Sequence, residues 1–104
     1  MDTIRIMKTI RRTPQFDKWL KGLRDKKAEA KVNVRLRRLE QGHYGDCEPV
    51  GESVSELRIF YGPGYRVYFT ERFGEFVLLL AGGDKSSQAK DIKYAKAIAN
   101  DYEG

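Results

Sequence analysis

Ser55-Glu56-Leu57-Arg58-Ile59-Phe60-Tyr61-Gly62-Pro63-Gly64-Tyr65-Arg66-Val67-Tyr68-Phe69 reads as two strands around a turn. Gly62-Pro63-Gly64 supplies the turn chemistry. On both sides the side chains alternate with a period of two. Leu57, Ile59, Val67 and Phe69 then point to one face and Glu56, Arg58, Arg66 and Tyr68 to the other. Two registers are open. A three-residue loop puts Arg58 opposite Arg66 and Glu56 opposite Tyr68, and a five-residue loop puts Arg58 opposite Tyr68. Either register brings two arginines within one or two pairs of each other. Like charges directly opposite destabilise a sheet, so folding alone does not ask for this pair.

Outward from the hairpin the chain stays β-like. Phe73-Gly74 is a second turn, residues 75–81 are a nearly unbroken apolar strand of central type, and Gly82-Gly83 should break it. Upstream, Cys47 to Val50 is a short strand that Pro49 assigns to a sheet edge. Further back the period becomes helical. Thr13-Pro14 is an N-cap with proline at the first helical position, and Phe16, Trp19, Leu20 and Leu23 follow at helical spacing until Gly22 ends the helix. Asp25 caps a second helix with Ala28, Val32, Leu36 and Leu39 on one face, stopped by Gln41-Gly42. The short junction suggests an antiparallel helical hairpin. Ile4, Ile6 and Ile10 alternate as a first strand. After the glycine pair, Asp84, Ser86 or Ser87 caps a last helix that buries Ala89, Ile92, Ala95, Ala99 and Tyr102. The order β-α-α-β-β-β-β-α gives an α+β fold, with an N-terminal strand and helical hairpin on an antiparallel meander sheet and a C-terminal helix.

Composition bounds the function. The 104 residues make one domain, 1–104, able to bury about two-thirds of its unfolded surface. One cysteine, Cys47, cannot bridge internally, and no Cys/His spacing suggests a metal, so neither cofactor nor metal is expected. The first residues lack the apolar run of a signal peptide, and no stretch spans a bilayer, which points to the cytoplasm. Net charge is +5 with pI near 9.4, which suits a polyanion or an acidic partner. Lys27, Lys31, Arg35 and Arg38 form a basic stripe on the second helix, fit for an RNA backbone or simply for water. Arginine's planar fork matches phosphate, so an anion between Arg58 and Arg66 would relieve their repulsion, whereas the bland alternative is a solvated face with Glu56 neutralising one of them. Lys85, behind the glycine pair, should lie near the same surface. Metal-free RNA cleavage needs in-line attack by the 2′-hydroxyl, neutralised phosphoryl charge and proton transfer. The arginines and Lys85 can do the charge work, and Tyr68, Glu56 or Glu48 the proton work. His43 reads as a surface residue and Trp19 as core.

Residues 54–69 followed by Leu78-Leu79-Leu80-Ala81-Gly82-Gly83-Asp84-Lys85-Ser86-Ser87 resemble the RelE/ParE superfamily of toxins from bacterial toxin–antitoxin modules, and within it the HigB-like branch of addiction-module killer proteins. Leu23-Arg24-Asp25 and Arg35-Leu36-Arg37-Arg38-Leu39-Glu40 also fit that branch, and the similarity covers about residues 8 to 100. The resemblance implies a domain of the microbial ribonuclease-like type. It also implies ribosome-dependent messenger RNA cleavage and neutralisation by a cognate helix-turn-helix antitoxin in a hetero-oligomer. Arg66 matches the superfamily's arginine after the turn, Arg58 a basic position on the preceding strand, and Lys85 a basic or histidine position after the last strand. Glu48 is similar to a glutamate that some members use as base. Tyr94 and Tyr102 do not match the tyrosine or histidine that several members use near the C-terminus. The ParE branch shares the fold but inhibits DNA gyrase without catalysis, which is the alternative activity.

Overall fold

A computed structural model describes residues 7–102. Its elements are β1 (Thr9–Arg12), α1 (Pro14–Lys21), α2 (Lys26–Glu40), β2 (Cys47–Gly51), β3 (Val54–Ile59), β4 (Tyr65–Arg72), β5 (Phe76–Asp84), a 3-10 turn (Lys85–Ser87) and α3 (Gln88–Asp101). The mixed α+β architecture is the expected one, compatible with a RelE-like fold. The five strands lie in the order β1-β5-β4-β3-β2. β2 to β5 form the antiparallel meander, while β1 pairs parallel to β5, from Thr9 beside Phe76 to Arg12 beside Leu79. The first strand therefore falls later than the 4–10 expected, and Ile4 and Ile6 lie outside the described residues. β2 with Pro49 is an edge, as its proline requires.

Local capping sets the helices. Thr13 accepts the Phe16 N–H at 3.1 Å and donates its hydroxyl to the Leu80 carbonyl at 2.8 Å, so one buried side chain starts α1 and pins it to β5. Gly22 closes α1. The Asp25 carboxylate accepts from the Lys27 and Ala28 N–H groups to start α2. Hydrogen bonds from the Tyr61 hydroxyl and these N–H groups hold its carboxyl below the usual aspartate range. Asp84 caps the 3-10 turn through the Ser86 N–H, whereas Ser87, at the start of α3, makes no side-chain cap.

The sheet is covered on both faces. Phe16, Leu20, Val32, Leu36 and Leu39 of α1 and α2 pack with Leu57, Ile59, Val67, Phe69, Val77 and Leu79. On the other face Ala95, Ile98 and Ala99 of α3 pack with Val54, Tyr68, Phe76, Leu78, Leu80 and Ala81. Alternation thus sorts the strands as read from sequence, but α3 lies over the face expected to be open. Ala89 is exposed on α3, and Ile98 takes the buried place instead. Among the described residues no helix is long and apolar enough to cross a membrane.

Gly82 and Gly83 do not break β5, which runs through them to Asp84. They supply space. A Cβ on Gly82 would lie 2.2 Å from the Trp19 ring, and one on Gly83 would lie 1.8 Å from Asp91 Oδ2 on the opposite face. Trp19 is thereby seated over the strand, against Phe16 and Tyr65. Gly82→Ala should lower stability by about 1–3 kcal/mol through overpacking. A lower urea midpoint with an unchanged slope is the expected result, and a wild-type midpoint would refute it.

Candidate functional site

Two cross-strand rows define the site. Arg58 stands opposite Arg66, and Arg66 opposite Gly83. The Arg58 N–H donates to the Asp46 carbonyl, which extends the row to four residues across the sheet. The adjacent row is Glu48, Glu56, Tyr68 and Ala81. This is the register expected of the shorter loop, although pairing ends at Ile59 and Tyr65 and residues 60–64 form the connection.

Each arginine has acidic neighbours of its own. Arg58 Nη2 lies 3.0 Å from Asp46 Oδ1 and 3.0 Å from Glu48 Oε1. The Asp46 hydrogen bond, then that of Glu48, raises its pKa. Arg66 Nη1 donates to the Gly64 carbonyl at 2.7 Å, and its Nε lies 3.7 Å from Glu56 Oε2, an ion pair too long for a hydrogen bond. A Cβ on Gly64 would meet Arg66 Nη1 at 3.0 Å and the Lys85 Cβ at 3.5 Å, so Lys85 stands beside Arg66 across that glycine. The Lys85 N–H also donates to the Pro63 carbonyl at 3.4 Å. Arg58, Arg66 and Lys85 therefore gather at one end of the sheet.

Glu56 and Tyr68 are buried, contrary to the exposed face expected for them, with 2% and 0% of their surface accessible. The physical cause is α3, whose first residue reaches over the strands. Glu56 Oε2 accepts from the Tyr68 hydroxyl at 2.9 Å and from Gln88 Nε2 at 2.9 Å. Burial first, and the Glu56 hydrogen bond second, push the Tyr68 phenol well above its ordinary range. A phenol so placed stays protonated and donates to Glu56.

Among the described residues, three buried side-chain polar atoms lack a hydrogen-bond partner: Asp46 Oδ2, Arg58 Nε and Arg66 Nε. All three lie in the same row. Buried polar groups are nearly always satisfied, so these three exceptions set this row apart from the other described residues.

The basic stripe of α2 is divided. Lys27, Lys31 and Arg38 are exposed. Arg35 instead turns inward and donates to the carbonyls of Tyr44 at 3.0 Å, Asp46 at 3.1 Å and Arg58. It ties α2 to the loop that carries Asp46, and burial lowers its pKa. Lys31 lies 5.1 Å from the Tyr61 ring centre. His43 is exposed, as read from sequence. Burial pushes the Cys47 thiol up, against nucleophilic use. No three His, Cys, Asp or Glu side chains among the described residues converge as metal ligands.

Sequence reasoning missed Asp46, Gln88 and Asp91. Asp46 precedes a strand that alternation reads from Cys47 on. Gln88 and Asp91 sit on a helix whose docking face is decided by the sheet it covers. No local signal identifies them.

A five-stranded sheet with helices on both faces and two opposed, acid-paired arginines at one end thus defines a small α+β domain of RelE-like form. Residues 18–102 match the family Phage derived protein Gp49-like (DUF891), and the chain belongs to that family, which is of the RelE-like toxin type. An uncharacterized protein of Haemophilus influenzae is 49% identical over 92 residues, covering 88% of this chain and 93% of the relative.

Two outcomes follow from the buried groups. Because the Tyr68 pKa is raised in the fold, its contribution to stability is full below about pH 10, where the unfolded phenol is also neutral. It is lost as pH rises further, because only the unfolded chain releases that proton. Tyr68→Phe should therefore show a smaller loss of melting temperature above about pH 10 than the wild type, and equal losses would contradict the buried donor. Arg35→Ala should cost about 1–3 kcal/mol in denaturant unfolding, whereas Lys31→Ala should stay within about 0.5 kcal/mol of wild type. Similar values for both would return Arg35 to the solvent-facing stripe.

Proposed function

We propose that this protein is the toxin of a type II toxin–antitoxin module, in the HigB-like branch, and that it cleaves messenger RNA bound in the ribosome. The observation that carries the reading is the placement of two directly opposed arginines at one end of the sheet with Lys85 beside Arg66. Two guanidinium forks and an ammonium at one sheet end suit a phosphodiester whose charge grows during reaction.

In the proposed reaction the 2′ oxygen bonds to phosphorus in line as the bond to the 5′ oxygen breaks. The products are a 2′,3′-cyclic phosphate and a 5′-hydroxyl. Arg58, Arg66 and Lys85 neutralise the phosphoryl oxygens. Glu48 is exposed and touches Arg58, so it is the carboxylate able to reach the 2′ proton. The Lys85 ammonium or water returns a proton to the 5′ oxygen. Glu56 and Tyr68, buried under α3, position Arg66 and do not exchange protons with RNA. Lys27, Lys31 and Arg38 contact ribosomal RNA phosphates. A cognate helix-turn-helix antitoxin with an acidic segment is the inhibitor that this basic face attracts. Action on translating ribosomes assigns the protein to the cytoplasm.

Arg66→Ala is a poor probe, because it leaves the buried Glu56 carboxylate without its cation. Arg66→Lys keeps the charge and loses the fork. Induction of wild-type protein should rapidly stop amino-acid incorporation and create new RNA 5′ ends inside translated messages. Arg66→Lys should lower cleavage by about a hundredfold or more while still folding cooperatively, with a melting temperature lowered by loss of the Gly64 hydrogen bond. Undiminished cleavage by the folded variant would remove Arg66 from the site. Intact messages, continuing translation and double-strand DNA breaks would instead identify a ParE-type gyrase inhibitor.

A further inference from the structure

The side chain of Phe60 is spent on nothing the fold uses. It is 84% exposed, one residue beyond the end of β3. Its neighbours in the chain are anchored. Ile59 is in the core under α1 and α2, and Tyr61 packs against that same core. The Tyr61 hydroxyl donates to Asp25 at 2.8 Å, and Lys31 lies over the Tyr61 ring. The other end of the loop is held by the Lys85 N–H on the Pro63 carbonyl and by the Gly64 N–H on the Tyr61 carbonyl at 3.1 Å. Phe60 therefore rides on a fixed loop. The Tyr61 N–H donates to the Ile59 carbonyl at 2.9 Å, so the chain turns at Phe60 and leaves its ring in solvent, in the loop between Arg58 on β3 and Arg66 on β4.

We infer that Phe60 is a stacking platform for one unpaired base of the RNA, the base next to the phosphate held by Arg58, Arg66 and Lys85. This inference rests on the nuclease reading and adds a specificity residue to it. Single-stranded nucleic acid is bound by a cationic track along the phosphates together with an aromatic face on which a base lies. Here the cations and the aromatic are carried by one hairpin, with Arg58 two residues before Phe60 and Arg66 on the returning strand. A protein side chain could cover the same ring, but the cations around it favour a phosphate-bearing partner. Stacking accepts any base and favours the larger purine surface, so the platform biases cleavage toward sites with a purine at that position.

Phe73 provides a matched control. It is 83% exposed and lies at the β4–β5 turn, at the opposite end of β4 from Arg66. The test compares wild type, Phe60→Ala, Phe60→Trp and Phe73→Ala as full chains. Each is added to purified ribosomes programmed with a defined message, and cut positions and rates are read by 5′-end mapping. Phe60→Ala should lower kcat/KM about tenfold or more and flatten the base preference beside the cut, Phe60→Trp should restore both, and Phe73→Ala should match wild type. Cleavage by Phe60→Ala at the wild-type rate and positions would overturn the platform. So would equal losses in Phe60→Ala and Phe73→Ala, or a Phe60→Ala defect confined to inhibition by a partner protein. Failure of wild type to cut any programmed message would instead defeat the nuclease reading, an outcome distinct from any difference between variants.

Discussion

The Glu56 carboxylate holds three parts of the molecule together. It sits almost wholly out of water between β3 and α3, where an unpaired charge would be costly. Its three partners come from two other elements: the Tyr68 hydroxyl and the Arg66 guanidinium of β4 and the Gln88 amide of α3. Satisfying that one group fixes where α3 begins relative to the sheet. The start of α3 also carries Ser87, whose hydroxyl donates to Asp91, and Asp91 fills the space that Gly83 leaves beside Arg66. Removing any one donor leaves a buried acceptor short, so the assembly tolerates replacement poorly as a unit.

The two opposed arginines are a tolerated conflict within this arrangement. Their repulsion is offset by separate acids, Asp46 and Glu48 for Arg58 and Glu56 for Arg66. The offset is incomplete in hydrogen-bond terms, since both Nε atoms lack an acceptor. Arg58 keeps 27% of its side chain accessible and Arg66 only 11%. The pair is asymmetric: Arg58 is held by the half-buried Asp46 and the exposed Glu48, and Arg66 by the buried Glu56.

How much of this could be read from the chain depends on the range of the cause. Thr13, Asp25 and Gly22 act on their own helix ends, and each was legible. The alternation around Leu57 and Val67 correctly divided the hairpin into two faces, and Pro49 correctly marked an edge. The Gly82-Gly83 pair was misread because glycine signals both a turn and a close approach, and only the Trp19 and Asp91 side chains distinguish the two. Arg35 was misread because its partners are main-chain carbonyls from distant segments, which leave no pattern in a side-chain sequence. Burial of Glu56 and Tyr68 depended on which face α3 chose, a tertiary decision with no local trace.

The parallel pairing of β1 with β5 also has a meaning in time. Thr9 to Arg12 are made more than sixty residues before the strand they pair with, Phe76 to Leu79. Closing so long a loop costs entropy that only the late contacts repay. α3, which supplies Gln88 to Glu56, is made later still. A nascent chain can hold the β3–β4 hairpin with both arginines, yet it lacks the cover that sets Arg66. The end of the sheet that carries Arg58, Arg66 and Lys85 therefore takes its final form only after α3 has been made.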